Sequence, residues 1–191
     1  MPGEIVLLRH GETEWSRSGQ HTGRTDLPLT EHGERQARSL ADRFAAQPPV
    51  LVVASPRQRA LRTAELAGLT IGRIDDDLVE WDYGDLEGLT TSTIRETYPG
   101  WTIWGGPVPG GEAIDEVAAR ATRVLQSVEP ALERGDVVLV GHGHALRVLT
   151  ACWLGLDPHA GELFVLDAGS VSLLGHEREA RVLKGLNRPP E

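Results

Sequence analysis

The chain has one cysteine, Cys152, and one lysine, Lys184. A single thiol excludes an intrachain disulfide framework and agrees with a reducing cytoplasm. Set in an apolar helical stretch, it reads as an inert thiol rather than a nucleophile. Long apolar runs are missing as well, and none approaches the roughly 20 residues that span a bilayer. No signal-peptide pattern precedes the first strand-like run, so a cytoplasmic location is expected. Repeats, low-complexity tracts and linkers are absent. Surplus positive charge is absent too: a net charge of −9 argues against nucleic acid and anionic membrane as partners. A phosphorylated ligand stays compatible, because only the local field of a site matters to it. The scarcity of lysine carries no functional conclusion.

What remains is ordinary for a globular protein. Hydrophobic residues make up 40% and charged residues 25% of 191 residues, enough for one domain with a full-sized core. Three short apolar runs stand out. Ile5 to Leu8 ends in Arg9-His10-Gly11. Val50 to Ala54 ends in Ser55-Pro56-Arg57-Gln58-Arg59. Val137 to Val140 ends in Gly141-His142-Gly143-His144. Each reads as a strand apolar on both faces, as in a parallel sheet. Their carboxyl ends would bring Arg and His to one sheet edge, where open α/β sheets place ligands. Neutral imidazole beside a permanent cation suits an anionic substrate.

Helical signals alternate with these runs. Thr30 is the expected N-cap of a helix through about residue 46, with Ala37, Leu40, Ala41 and Phe44 on one face, although Gly33 stands where a capping-box Glu would be. Ser55 as N-cap and Pro56 at the first position open the next helix. Residues 71–75 suggest a short strand. The stretch 76–111 is rich in Gly, Trp and acidic residues, with a short helix near 91–98, and is expected to form an irregular lid over the site. Residues from Ile114 to Val128 mark a long amphipathic helix, and those after His142 another. Strand-like segments at 163–174 and 181–184 close the chain. The pattern predicts an α/β fold: one domain over residues 1–191, a three-layer α/β/α sandwich around a mostly parallel sheet.

Five ordered motifs carry a resemblance: Leu8 to Thr13, His21-Thr22-Gly23, Leu29-Thr30 with Gly33 and Gln36-Ala37, Ser55-Pro56 with Arg59-Ala60 and Thr63-Ala64, and Glu80 with Tyr83-Gly84 and Glu87-Gly88. Gly141-His142-Gly143 with Arg147 follows them. Together they resemble the histidine phosphatase superfamily, in its phosphoglycerate-mutase-like branch, over nearly the whole chain. The resemblance implies that His10 becomes phosphorylated while Arg9, Arg59 and His142 hold the phosphoryl group. His144 is read as a packing neighbour. Glu80 is the expected proton donor to the leaving alkoxide, and Asp82 is its rival. Ser16 stands where Asn is usual, and its hydroxyl has a shorter reach. Thr22, Gly23, Tyr83 and Gly143 complete the expected substrate contacts. No metal and no cofactor are expected, since the sequence shows no compact ligand set and guanidinium groups supply the charge.

Two features separate hydrolysis from mutase activity. Thr91 stands where the resembling mutases carry a Lys, and their following Arg pair and long insertion have no visible counterpart. Trp81, Trp101 and Trp104 instead suit a bulkier or sugar-like leaving group, or simply pack the lid. The stretch from Glu80 to Thr90 resembles the mycobacterial-type acid phosphatases and the sedoheptulose-bisphosphatase-like enzymes. A phosphomonoester hydrolase is therefore expected, with a phosphoglycerate mutase and a non-catalytic phosphate-binding module as alternatives. The expected partner is a small phosphorylated metabolite, and a homodimer is left open.

Overall fold

The computed structural model describes residues 2–190; positions 1 and 191 of the expected domain lie outside them. One six-stranded sheet organises the chain. Its strands are β1 (Ile5–Arg9), β2 (Leu51–Ala54), β3 (Arg73–Ile74), β4 (Val137–Gly141), β5 (Val171–Glu177) and β6 (Ala180–Arg188). They lie in the order β3-β2-β4-β1-β5-β6. The first four run parallel, and the β5–β6 hairpin adds antiparallel to β1.

Alternation along the strands sorts their side chains into two cores. Ile5, Leu7, Val53, Val137 and Leu139 face one side, where they meet α6 (Ile114–Leu132) and α7 (Gly143–Trp153). Val6, Leu8, Val52, Ala54, Val138 and Val140 face the other. There Leu40, Phe44, Ala60 and Ala64 cover them, from α2 (Glu31–Ser39), α3 (Ala41–Ala46), α4 (Gln58–Leu66) and the turn between the first two. The mostly parallel sheet between two helical layers matches the expected fold class.

A third apolar cluster lies apart from both. Trp81, Tyr83, Leu86, Ile94, Trp101, Ile103 and Trp104 pack together against Val117 of α6 and Val148 of α7. The irregular stretch 76–111 thus has its own packed interior, with 3₁₀ turns at 76–78 and 84–86 and one helix, α5 (Thr91–Thr97).

Some local expectations need correcting. The helix after Thr30 is two helices, because Leu40 N–H bonds to Ala37 and Arg38 carbonyls in a tight turn. Ser55 is not an N-cap; Arg57 takes that place in α4, and the carboxylate of Asp26 accepts the Gln58 N–H from a distant loop. Residues 163–170 form no strand. Within this stretch the Leu166 carbonyl accepts from Arg9, and the Ser170 N–H closes a turn on the Asp167 carbonyl. Gly33, the apparent gap in a capping box, is a close approach: a Cβ there would meet the Glu12 carbonyl oxygen at 2.2 Å. Among the described residues no helix is long and apolar enough to cross a membrane.

Candidate active site

Parallel pairing explains why three separated motifs converge. Arg9 is in register with Gly141, and Ala54 with Val140. His10 and His142, the next residues of β1 and β4, therefore leave adjacent strands level with each other, and Ser55 follows β2 one residue earlier, level with Gly141. The His10 and His142 rings pack edge to face, with centroids 5.1 Å apart.

His10 is 5% exposed and its Nδ1 lies 2.7 Å from the Gly11 carbonyl oxygen. A carbonyl only accepts, so Nδ1 carries the hydrogen and Nε2 keeps a lone pair. Burial, then the charges of Arg59 and Arg9, hold the His10 pKa well below the ordinary imidazole value. The result is a neutral imidazole among cations. The Gly11 N–H in turn donates to Thr63 Oγ1, which donates to the Arg59 carbonyl, so α4 fixes the loop after β1.

Arg59 is fully buried. Its Nη1 donates to the Thr25 carbonyl and its Nη2 to the Thr22 carbonyl, at 2.9 and 3.1 Å. The loop that offers these carbonyls is held by Glu87, whose carboxylate accepts the N–H groups of Gly23 and Thr25. His142 is also fully buried. It accepts from Arg59 Nε at Nδ1, and its Nε2 lies 2.8 Å from Ser55 Oγ. Burial and the Arg59 charge lower its pKa strongly.

Glu80 is 7% exposed and sits against the first turn of α7. Its Oε1 accepts the N–H groups of Trp81 and Ala145, while Oε2 accepts that of His144. One lone pair of Oε2 stays free. Arg120 of α6 anchors the approach, bonding to the Asp77 and Val79 carbonyls and pairing with Glu112. Asp82 points elsewhere: it pairs with Arg24 and accepts the Gly84 N–H.

A cavity of about 430 Å³ brings Arg9, His10, Ser16, Thr22, Glu80, Tyr83 and Gly143 together. Three expected residues do not line it. Arg59 and His142 lie buried behind it, held by inward hydrogen bonds. The Gly23 N–H, expected to meet substrate, is taken by Glu87. The Ser16 hydroxyl closes a capping box with Thr13 on α1 (Glu14–Ser18), and the Thr22 hydroxyl donates to the Gln20 carbonyl. Tyr83 pairs with His144 Nδ1 at 2.6 Å, and burial beside Glu80 keeps its hydroxyl protonated.

The same cavity holds two further cations, Arg95, which sequence reasoning missed, and Arg147, which it quoted in a motif without giving it a role. The signal was helical spacing. Thr91 and Arg95, like Gly143 and Arg147, are four residues apart and share a helix face. Among the described residues no group of three or more His, Cys, Asp or Glu side chains is arranged to hold a metal ion.

Comparison with known proteins bears on this arrangement. Residues 5–189 match the family described as histidine phosphatase superfamily, branch 1. The chain belongs to the histidine phosphatase superfamily. An acid phosphatase of Mycobacterium tuberculosis is 40% identical, over 98% of this chain and 94% of that protein. The sedoheptulose 1,7-bisphosphatase of Saccharomyces cerevisiae is 34% identical, over 79% of this chain and 67% of its own length. A solved structure, the product of a Mycobacterium tuberculosis open reading frame, is 38% identical. It covers 99% of each chain with a TM-score of 0.95.

Proposed function

We propose that this protein is a phosphoric monoester hydrolase that turns over through a phosphohistidine at Nε2 of His10. The observation that carries the reading is the neutral His10, its free Nε2 facing a cavity that also holds Arg9 and Glu80. In the first step Nε2 attacks phosphorus and the ester P–O bond breaks. The proton on Glu80 Oε2 passes to the leaving alkoxide. In the second step the Glu80 carboxylate takes a proton from water, the water oxygen attacks phosphorus and the P–Nε2 bond breaks. Arg9 balances charge on the phosphoryl oxygens, and Arg59 sets the field from behind.

The substrate class is a small phosphorylated metabolite, with a sugar-like leaving group supported by the Trp101 and Trp104 walls and by the names of the relatives. Residues 76–111 act as the lid of a single domain. A cytoplasmic location completes the reading and agrees with the lone Cys152.

A mutase reading draws support from Arg95 and Arg147, two cations in the cavity to which the sequence reading gave no role. One experiment separates the two. Purified protein is given 3-phosphoglycerate with catalytic 2,3-bisphosphoglycerate, and in parallel a panel of sugar phosphates. Phosphate release exceeding isomer formation is expected, with both abolished in His10→Ala. Rapid isomerisation with negligible phosphate release would restore the mutase.

A further inference from the structure

Two imidazoles stand in the wall of the cavity, and the two chemical steps use neither. His21 and His144 both line it. Their rings lie nearly parallel, at 14°, with centroids 6.0 Å apart. Each is tied to the protein at Nδ1. His21 Nδ1 lies 2.8 Å from the Leu89 carbonyl oxygen. A carbonyl only accepts, so Nδ1 carries the hydrogen and neutral His21 keeps a lone pair on Nε2. His144 is set the other way. Its Nδ1 lies 2.6 Å from the Tyr83 hydroxyl, and that buried hydroxyl has no other acceptor among the described residues. Tyr83 therefore donates, Nδ1 accepts, and the hydrogen of His144 sits on Nε2. Burial keeps His144 neutral and Tyr83 protonated.

Neither Nε2 has a hydrogen-bond partner among the described residues, and neither is closed off from the cavity. Aromatic neighbours hold both rings. Trp101 meets His21 edge to face at 5.3 Å, Trp104 meets His144 in the same way at 5.5 Å, and Tyr83 packs against both. This wall thus offers one fixed donor and one fixed acceptor. An anion would face the His21 lone pair, and a cation the His144 hydrogen. A hydroxyl, which accepts and donates, satisfies both. Two hydrogen bonds of about 2.8 Å to one oxygen span up to about 5.6 Å, commensurate with the separation of the rings. Placement assigns the pair to the leaving group. The His144 N–H holds Oε2 of Glu80, the atom that serves the departing alkoxide.

We infer that His21 and His144 form a hydroxyl clamp for the alcohol half of the substrate, selecting phosphate esters whose leaving group carries a further hydroxyl. This rests on the phosphatase reading and names the chemistry of its leaving group. Both are specificity residues and take no part in bond breaking.

The test uses two pairs of esters that differ only in hydroxyls: glycerol 3-phosphate with propyl phosphate, and ribose 5-phosphate with tetrahydrofurfuryl phosphate. Phosphate release is measured at about pH 8, above the ordinary imidazole value. The readout is the ratio of kcat/KM within each pair, which a merely structural role would leave unmoved. His144→Asn keeps an acceptor for Tyr83 and removes the Nε2–H. His21→Asn keeps a donor for Leu89 and removes the Nε2 lone pair. Wild type should prefer the hydroxylated ester of at least one pair. Each variant should cut that preference by roughly three- to tenfold, the scale of one neutral hydrogen bond. His144→Gln, whose amide reaches the Nε2 position, should recover part of it. Absence of a preference in wild type, or ratios unchanged in both Asn variants, overturns the inference. Should wild type release no phosphate from any of the esters, the phosphatase reading has failed. Calorimetric binding of the same esters then decides the clamp: a hydroxyl preference lost in His144→Asn sustains it, and equal affinities overturn it.

Discussion

Arg59 Nε lies 3.2 Å from His142 Nδ1 and donates a hydrogen bond to it. A guanidinium never accepts, so this contact strips Nδ1 of hydrogen and places it on Nε2, which faces Ser55 Oγ. Two motifs, from the ends of β2 and β4, are thereby joined in one chain of hydrogen bonds, and the tautomer of a fully buried imidazole is set by its neighbour.

Ser55 is therefore a positioning residue. Ser55→Ala leaves the His142 Nε2–H buried without an acceptor, which should cost about 1–3 kcal/mol of stability. Urea unfolding measures the loss. Nitrogen-15 spectra of the imidazoles should show His142 protonated at Nε2 in wild type. An Nδ1-protonated His142, or unchanged stability in the variant, would remove Ser55 from this role.

Stability should fall on acidification. Burial holds His10, His142 and His144 neutral, with folded pKa values well below the ordinary 6.5. The unfolded chain then binds more protons than the native one as pH drops below that value, so unfolding gains with every proton taken up. The limiting slope is about 1.4 kcal/mol per pH unit for each histidine. The loss begins near the unfolded value and continues downward until the folded imidazoles titrate. Denaturant midpoints between about pH 7.5 and about pH 5.5, which bracket that value by about one unit either side, read the slope. A flat profile would contradict neutral burial of this trio. The lowered His10 value also keeps the nucleophile unprotonated into mildly acidic solution, so turnover should persist there.

Glu80 should matter in proportion to the leaving group. Glu80→Gln removes the transferable proton, and general acid catalysis contributes roughly 10²–10⁴-fold. Sugar phosphates should lose on that scale, whereas p-nitrophenyl phosphate, whose phenolate needs little help, should lose far less. Asp82→Asn should leave both rates nearly unchanged, because Asp82 is bound to Arg24 outside the cavity. Equal losses on both substrates in Glu80→Gln would remove Glu80 as the acid.

Gly33→Ala tests whether the loop after β1 depends on backbone contact with α2. The added methyl would meet the Glu12 carbonyl oxygen at 2.2 Å. Overpacking against backbone costs about 1–3 kcal/mol or more, and the displaced loop carries His10. Reduced thermal stability together with reduced turnover is expected. Full activity at unchanged melting temperature would show that the loop adjusts without cost.

Much of the molecule was legible because strand ends and helix caps are local. An apolar run ending in Arg9-His10 contains its own instruction, and Thr30 accepts from the Gly33 N–H as its type suggests. The choice between Glu80 and Asp82 was not local. Two carboxylates two residues apart look alike in sequence; the first turn of α7 captures one and Arg24 the other. Ser55 was misread for a related reason. As an isolated Ser-Pro pair it resembles a helix start, but the imidazole of His142, 87 positions away, engages its hydroxyl.

The sequence by itself determined the parallel α/β sheet, whose strand and helix patterns act within a few positions, and its ordered motifs carried the resemblance to the family and marked His10 as the candidate nucleophile. Only the tertiary structure decided the tautomers of His10 and His142, the withdrawal of Arg59 and Gly23 from the cavity surface, and the arrival there of Arg95 and Arg147. Hydrogen bonds to partners distant in the chain set all of these, and composition and spacing do not record which partner a side chain will meet.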